Sequence, residues 1–297
     1  MINLNNTAKN LLLTPFNILY KINPELDLKV LFRLKLGYKL NLKNPTTYNE
    51  KLQWIKLNDK NPLMPKCCDK YAVREYVESK GCKKLLNELL WEGFNPDEIP
   101  YESLPNKFVI KVTHGSTFNI ICSEKSKLNV EQVNKRLKKW LKVKFLPCYG
   151  EWFYGVERPR IIIEKFIESD DDLKDYKVFC FNGEPKYIAV YSDRYLNNGK
   201  PCQEIYDLDW NITHNHTNDY KLPCKLTKKP CNLNEIIKYS KILSKDFRHA
   251  RVDFFNPNNN LIFGEITFTS SAGFGKFSSK QFEEEMGNYL NLPVDEK

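Results

Sequence analysis

The strongest constraint on the fold lies near the end of the chain, where residues 251–268 read RVDFFNPNNNLIFGEITF. Two apolar runs flank the turn-forming cluster Pro257 to Asn260, which makes this an antiparallel hairpin. Residues two apart on a strand point to the same side. Arg251 and Asp253 therefore share one face, and Glu265 and Thr267 share another that the hairpin brings alongside. Two carboxylates, a guanidinium and a hydroxyl gather on one patch. Carboxylates this close repel unless a cation lies between them, and hard Mg²⁺ takes such oxygen ligands. Arg251 beside that cation suits a phosphate oxygen. Alone, the same hairpin also reads as a surface element with an ordinary Arg–Asp pair.

The rest of the chain alternates helix and strand signals. Residues 47–57, TYNEKLQWIKL, open on a Thr47/Glu50 capping box with Leu52, Ile55 and Leu57 at largely helical spacing. In 69–81, DKYAVREYVESKG, Asp69 is a helix N-cap and Gly81 a stop. KFVIKVTHGST and FNIIC (107–122) are two β-rich runs around a small-residue loop, and Asn129 caps the basic helix NVEQVNKRLKKWLKVKF. RIIIEKFIE (160–168) is a buried-type strand, and 177–191 turns at Asn182-Gly183, a hairpin signal. Helices close over 234–247 and 279–290. Antiparallel hairpins interleaved with helices define an α+β chain.

Other residues join the chemistry. Asp175 and Lys177 share a strand face. Lys111 ends an apolar run that would bury it unless it meets an anion, and it leads into His114-Gly115-Ser116-Thr117, a loop able to bring backbone amides to phosphates. Lys70 follows Asp69 at a helix start.

Composition excludes several classes. With 297 residues, 41% hydrophobic and 13% aromatic, the chain can build a large core and is not disordered. The net charge of +9 is spread without a dense arm. That argues against nucleic acid and fits a nucleotide polyphosphate together with an acidic polymer or a membrane surface. The cysteine count, nine, is odd, and no CxxC or zinc-spaced Cys/His cluster occurs, so reduced thiols in a cytoplasmic protein are expected. The apolar stretch LLLTPFNILY (11–20) is interrupted by Pro15 and Asn17 and is too short to span a bilayer. Residues 26–43, LDLKVLFRLKLGYKLNLK, read as a packed amphipathic helix, with a membrane-surface helix as the alternative.

Taken in order, the phrases NPTTYNEKLQW, CDKYAVREYV, KVTHGST, PRIIIEKFI, DYKVFCFNGEP and ARVDFF…FGEITFTSSAGF resemble the TupA-like ATP-grasp family of bacterial surface-polysaccharide loci. The layout also resembles that of D-alanine–D-alanine ligases. The resemblance runs from about Asn44 to Phe274. It implies an ATP-grasp fold, two α+β subdomains clamping ATP (63–165 with the phosphate loop, 166–297 with the metal site), after a helical segment 1–62. It implies that Lys70 and Lys111 reach the α- and β-phosphates and that Gly115 and Ser116 cover them. Glu164, Lys165, Phe166 and Ile167 would form the adenine hinge, Asp175 would bind ribose, and Lys177 would touch the γ-phosphate. Arg251 would act in the transition state, and Asp253, Glu265 and Thr267 would hold one or two Mg²⁺. Relatives often have Asn where this chain has Thr267.

The activity implied is that of an ADP-forming carboxylate–amine ligase. It would join a uronic-acid or peptide carboxylate of an acidic surface glycan to an amino acid or amine. The protein would sit in the cytoplasm, peripheral to membrane-bound polysaccharide machinery. A kinase with the same clamp, a glycosyltransferase and a non-catalytic glycan-binding module are the alternatives.

Overall fold

The structure, a computed structural model, describes residues 6–170, 172–192, 201–223 and 225–293. The chain opens with α1 (Asn6–Ile22) and α2 (Pro24–Leu36), followed by α3 (Tyr48–Asn58), α4 (Leu63–Cys68) and α5 (Val73–Ser79). Strand β1 (Leu89–Gly93) precedes β2 (Phe108–Val112), β3 (Asn119–Cys122), α6 (Val130–Leu141) and β4 (Ile161–Lys165). Then come β5 (Asp175–Phe181), β6 (Glu184–Ser192), β7 (Cys202–Tyr206), α7 (Leu233–Ser244), β8 (His249–Phe255), β9 (Ile262–Thr267) and α8 (Lys280–Asn288).

The strands form two antiparallel sheets, ordered β1-β4-β2-β3 and β7-β6-β5-β8-β9. In the first, α6 lays Val133, Leu137 and Trp140 against Phe108, Ile110, Val112, Ile161 and Ile163. Each such buried side chain contributes about 1.5–3 kcal/mol. The second sheet is covered on both sides, which is why every residue of β5 is buried. On one side Cys180 Sγ faces the Ser240 carbonyl of α7. On the other, the Tyr48 ring of α3 meets Phe179, Phe181 and His249 at centroid distances of 6.3, 6.1 and 5.3 Å. By the two-residue period, this second side is the one that carries Lys177 and Arg251.

Local chemistry sets most element ends. The Thr47/Glu50 capping box is complete, Asn129 Oδ1 accepts from Gln132 N at 2.9 Å, and Asn182 and Gly183 both adopt positive φ at the β5–β6 turn. Two helix boundaries differ from expectation, and one proline is accommodated within a helix. Helix α1 runs through Pro15. The missing rung is offset by Leu13, Phe16 and Tyr20 packing beside Leu31 and Cys148. The 26–43 run is helical only to Leu36, where Gly37 takes a left-handed φ of 89° and stops it. Asp69 caps the turn before α5, accepting from Tyr71 N and Ala72 N at 2.9 Å each, and the helix itself starts at Val73. Cys67, Cys68, Cys82, Cys122, Cys148, Cys180 and Cys231 are free; Cys224 lies outside the described residues. Among the described residues no helix is long and apolar enough to cross a membrane.

Candidate active site

The β8–β9 register places Asp253 directly opposite Glu265 and Arg251 opposite Thr267. On the other side of β8, Lys177 of β5 pairs with Asp253. These five side chains form one polar cluster. The Arg251 fork grips Asp253 through Nε–Oδ1 at 2.7 Å and Nη2–Oδ2 at 2.8 Å, and Nη2 also donates to Thr267 Oγ1 at 3.0 Å. Lys177 Nζ donates to Asp253 Oδ2 and lies 3.8 Å from Asp175. Glu265 is held more loosely, 3.5 Å from Arg251 Nη2 and 3.8 Å from Lys70 Nζ, and its side chain is 41% exposed. Burial alone would raise the Glu265 carboxyl, but Lys70, Lys177, Arg251 and Lys111 hold it down at about 2. The Arg251 guanidinium is opposed by burial, yet Asp253 raises its pKa and keeps it charged.

A cavity of about 440 Å³ opens over this cluster between the two sheets. Lys70, Lys111, Ser116, Asp175, Lys177, Arg251, Asp253 and Glu265 all line it. Lys165, Phe166 and Ile167 line a second cavity of about 520 Å³ with apolar walls from Val109, Ile121 and Leu173. Lys111, Asn119 and Phe255 border both, so the two form one trough. The other three expected residues support the walls. Gly115 offers its carbonyl to Lys70 Nζ at 2.9 Å, Glu164 accepts from Lys111 Nζ at 2.6 Å, and Thr267 Oγ1 donates to Glu265 at 3.4 Å.

The 113–117 loop is shaped by its neighbours. Val112 N donates to Phe118 O at 2.9 Å, and Thr113 N to Arg160 O at 2.9 Å. A Cβ at Gly115 would lie 2.0 Å from the Phe118 ring, so any larger residue would have to displace that ring. His114, whose pKa is lowered by burial, ties the loop to the Val143 carbonyl at 2.8 Å.

Sequence reasoning missed several wall residues. Arg74 supports Glu164 from α5 at 3.3 Å. Tyr191 stacks under Lys177 at 5.3 Å and edge-on to Tyr220 at 4.9 Å, and Gln203 accepts from Thr217 N at 2.6 Å. No local signal marks these, because separate strands and loops bring them together. Behind Arg251, Ser270 accepts from Nη1 at 3.0 Å and leads into Ser271-Ala272-Gly273, all at positive φ. Helix α3 props that segment from below. Lys56 Nζ donates to Ala272 O at 2.8 Å and Tyr149 O at 2.7 Å, and Gln53 Nε2 donates to Gly273 O at 2.6 Å.

Among the described residues no three His, Cys, Asp or Glu side chains gather into a metal site. The protein donors available to an ion are two carboxylates and a hydroxyl. They are hard oxygens that suit Mg²⁺ when phosphate oxygens and water complete its shell.

The two antiparallel sheets with a trough between them are consistent with an ATP-grasp protein, the class that the family match gives. Within that class the chain belongs to the TupA-like ATP-grasp family, whose model matches residues 50–291. Similar solved structures include D-alanine–D-alanine ligase from Bacillus anthracis (16% identity, 68% of this chain, 57% of that one, TM-score 0.38). Another is L-amino acid ligase from Bacillus licheniformis (11% identity, 76% and 47% coverage, TM-score 0.44). A third is the ADP complex of PurK, N5-carboxyaminoimidazole ribonucleotide synthetase (15% identity, 74% and 50% coverage, TM-score 0.42). The chain thus spans about half the length of these proteins. No curated protein matches it.

Proposed function

We propose that this chain is an ATP-dependent carboxylate–amine ligase. One observation carries the reading: Asp253 and Glu265 face each other across β8–β9, with Arg251 and Lys177 in the same trough. In this reading the two jaws are residues 63–165 and 166–297. The apolar slot at Phe166 and Ile167 takes the adenine, Asp175 the ribose, and Lys70 and Lys111 offset phosphate charge. Asp253, Glu265 and Thr267 would hold Mg²⁺, which would supply charge neutralisation for the phosphates. Arg251 stabilises the γ-phosphoryl group during transfer. A substrate carboxylate oxygen attacks the γ-phosphorus and ADP departs. An amine then attacks the acyl carbon, losing a proton, and inorganic phosphate leaves. Family membership suggests a uronic-acid or peptide carboxylate of an acidic surface glycan, with an amino acid as amine, on the cytoplasmic side of the membrane.

The test is to incubate purified protein with ATP, Mg²⁺ and pools of uronic acids and amino acids. Amide detected by mass spectrometry, with phosphate released only when the amine is present, is the expected result. Phosphate retained on the acceptor would make the protein a kinase.

A further inference from the structure

The family match begins at Glu50, so the α1–α2 hairpin lies outside it. The inward face of that hairpin is settled: Leu13, Phe16 and Tyr20 of α1 and Leu28, Leu31 and Phe32 of α2 pack on the body of the protein. Its outward side also carries apolar side chains, set among the exposed Lys21, Lys29 and Arg33. Leu12, Ile18 and Ile22 of α1 are 64, 55 and 77% exposed, and Leu26 and Leu34 of α2 are 46 and 68% exposed. A helix that is apolar on both faces belongs in apolar surroundings, and α1 has them on one side only. Clustered exposed apolar side chains mark a contact surface.

Charge identifies what covers it. Residues 1–47 hold seven Lys and Arg against Glu25 and Asp27, a net +5 of the protein's +9 in under a sixth of its length. Asp27 is fully buried, and Glu25 is 2.5 Å from Lys29. Helix α1 contains no acidic residue. An apolar surface set among cations with no accessible free carboxylate complements an acyl boundary lined by phosphates.

We propose that the α1–α2 hairpin docks on an anionic lipid bilayer, with Ile18, Ile22 and Leu26 entering the headgroup region and Lys21 and Arg33 meeting lipid phosphates. It lies on the membrane and does not span it: α1 is 17 residues long and carries Pro15. The proposal is independent of what the trough transfers.

The experiment is vesicle co-sedimentation of the full chain, on phosphatidylcholine alone and with about 30% phosphatidylglycerol added. Binding to the anionic vesicles should be at least about tenfold stronger than to the neutral ones and should weaken with salt. Ile18→Glu/Ile22→Glu/Leu26→Glu should lower binding at least about tenfold, with ATP affinity in solution equal to that of the unaltered protein. Ile22→Glu alone gives the same direction if the triple variant fails to fold. Absent or equal binding to both vesicle types overturns the proposal, as does a folded variant that binds like the original. A solution dimer that these substitutions dissociate, without vesicle binding, would assign the surface to a second copy of this chain.

Discussion

Arg251 commits its guanidinium to its own hairpin: Asp253, Glu265, Thr267 and Ser270 all draw on it. If it serves the γ-phosphoryl group, its contribution grows as charge shifts during transfer, so turnover depends on it more than affinity does. Arg251→Ala should lower kcat by about 10³-fold or more, while ATP Kd, read by calorimetry, changes only several-fold. A Kd loss matching the rate loss would make Arg251 a ground-state clamp. His249, two residues earlier, is a different kind of residue. Burial lowers its pKa from 6.5 to about 4, and Nδ1 donates to Phe268 O at 2.6 Å while Tyr48 OH binds Nε2 at 3.0 Å. The folded chain refuses a proton that the unfolded chain accepts. The contribution of His249 to stability is therefore complete above pH 6.5 and is lost as pH drops toward 4, by up to about 3 kcal/mol. In His249→Gln that slope should vanish from melts taken across the window; an unchanged slope would clear His249 of the effect. Nothing local in the sequence signals this histidine. Its burial comes from Tyr48, about two hundred positions away.

At the scale of elements, α3 and α8 make a close joint. Asn49 Nδ2 and Tyr38 OH both donate to Glu283 Oε1 at 2.8 Å. Gly287 passes so close that a Cβ there would lie 2.1 Å from the Thr46 carbonyl oxygen. Two effects compete in Gly287→Ala. Helix propensity favours alanine by about 1 kcal/mol. A backbone oxygen cannot swing aside, and overpacking of this kind costs about 1–3 kcal/mol or more. The clash should win, lowering the melting temperature by several degrees; a rise would mean the two helices sit further apart. The caps and turns at Thr47, Asn129 and Asn182-Gly183 were legible because their chemistry is contained within four residues. The β8–β9 face was legible because strand period and one hairpin suffice to align Arg251, Asp253, Glu265 and Thr267. Strands β1 and β7 were not legible: each is five residues long and is defined by its pairing with β4 or β6. Nor was the passage of α1 through Pro15, which tertiary packing overrides.

Across the whole molecule, charge is distributed unevenly. Around the β8–β9 cluster, Lys70, Lys111, Lys177 and Arg251 meet Glu164, Asp175, Asp253 and Glu265, four against four. The +9 of the protein therefore resides elsewhere, in part on the exposed Lys135, Lys139 and Lys142 of α6 and the residue after it. A trough that balances its own charges has little long-range pull on a polyphosphate, so the approach of nucleotide is governed by remote lysines and its departure by contacts inside. Replacing Lys135, Lys139 and Lys142 with Gln should slow ATP association at low ionic strength by several-fold, on the scale of electrostatic steering. The dissociation rate in the same stopped-flow traces should stay as it is. If dissociation quickened instead, the α6 lysines would be touching the nucleotide, and arrival and retention would share the same residues.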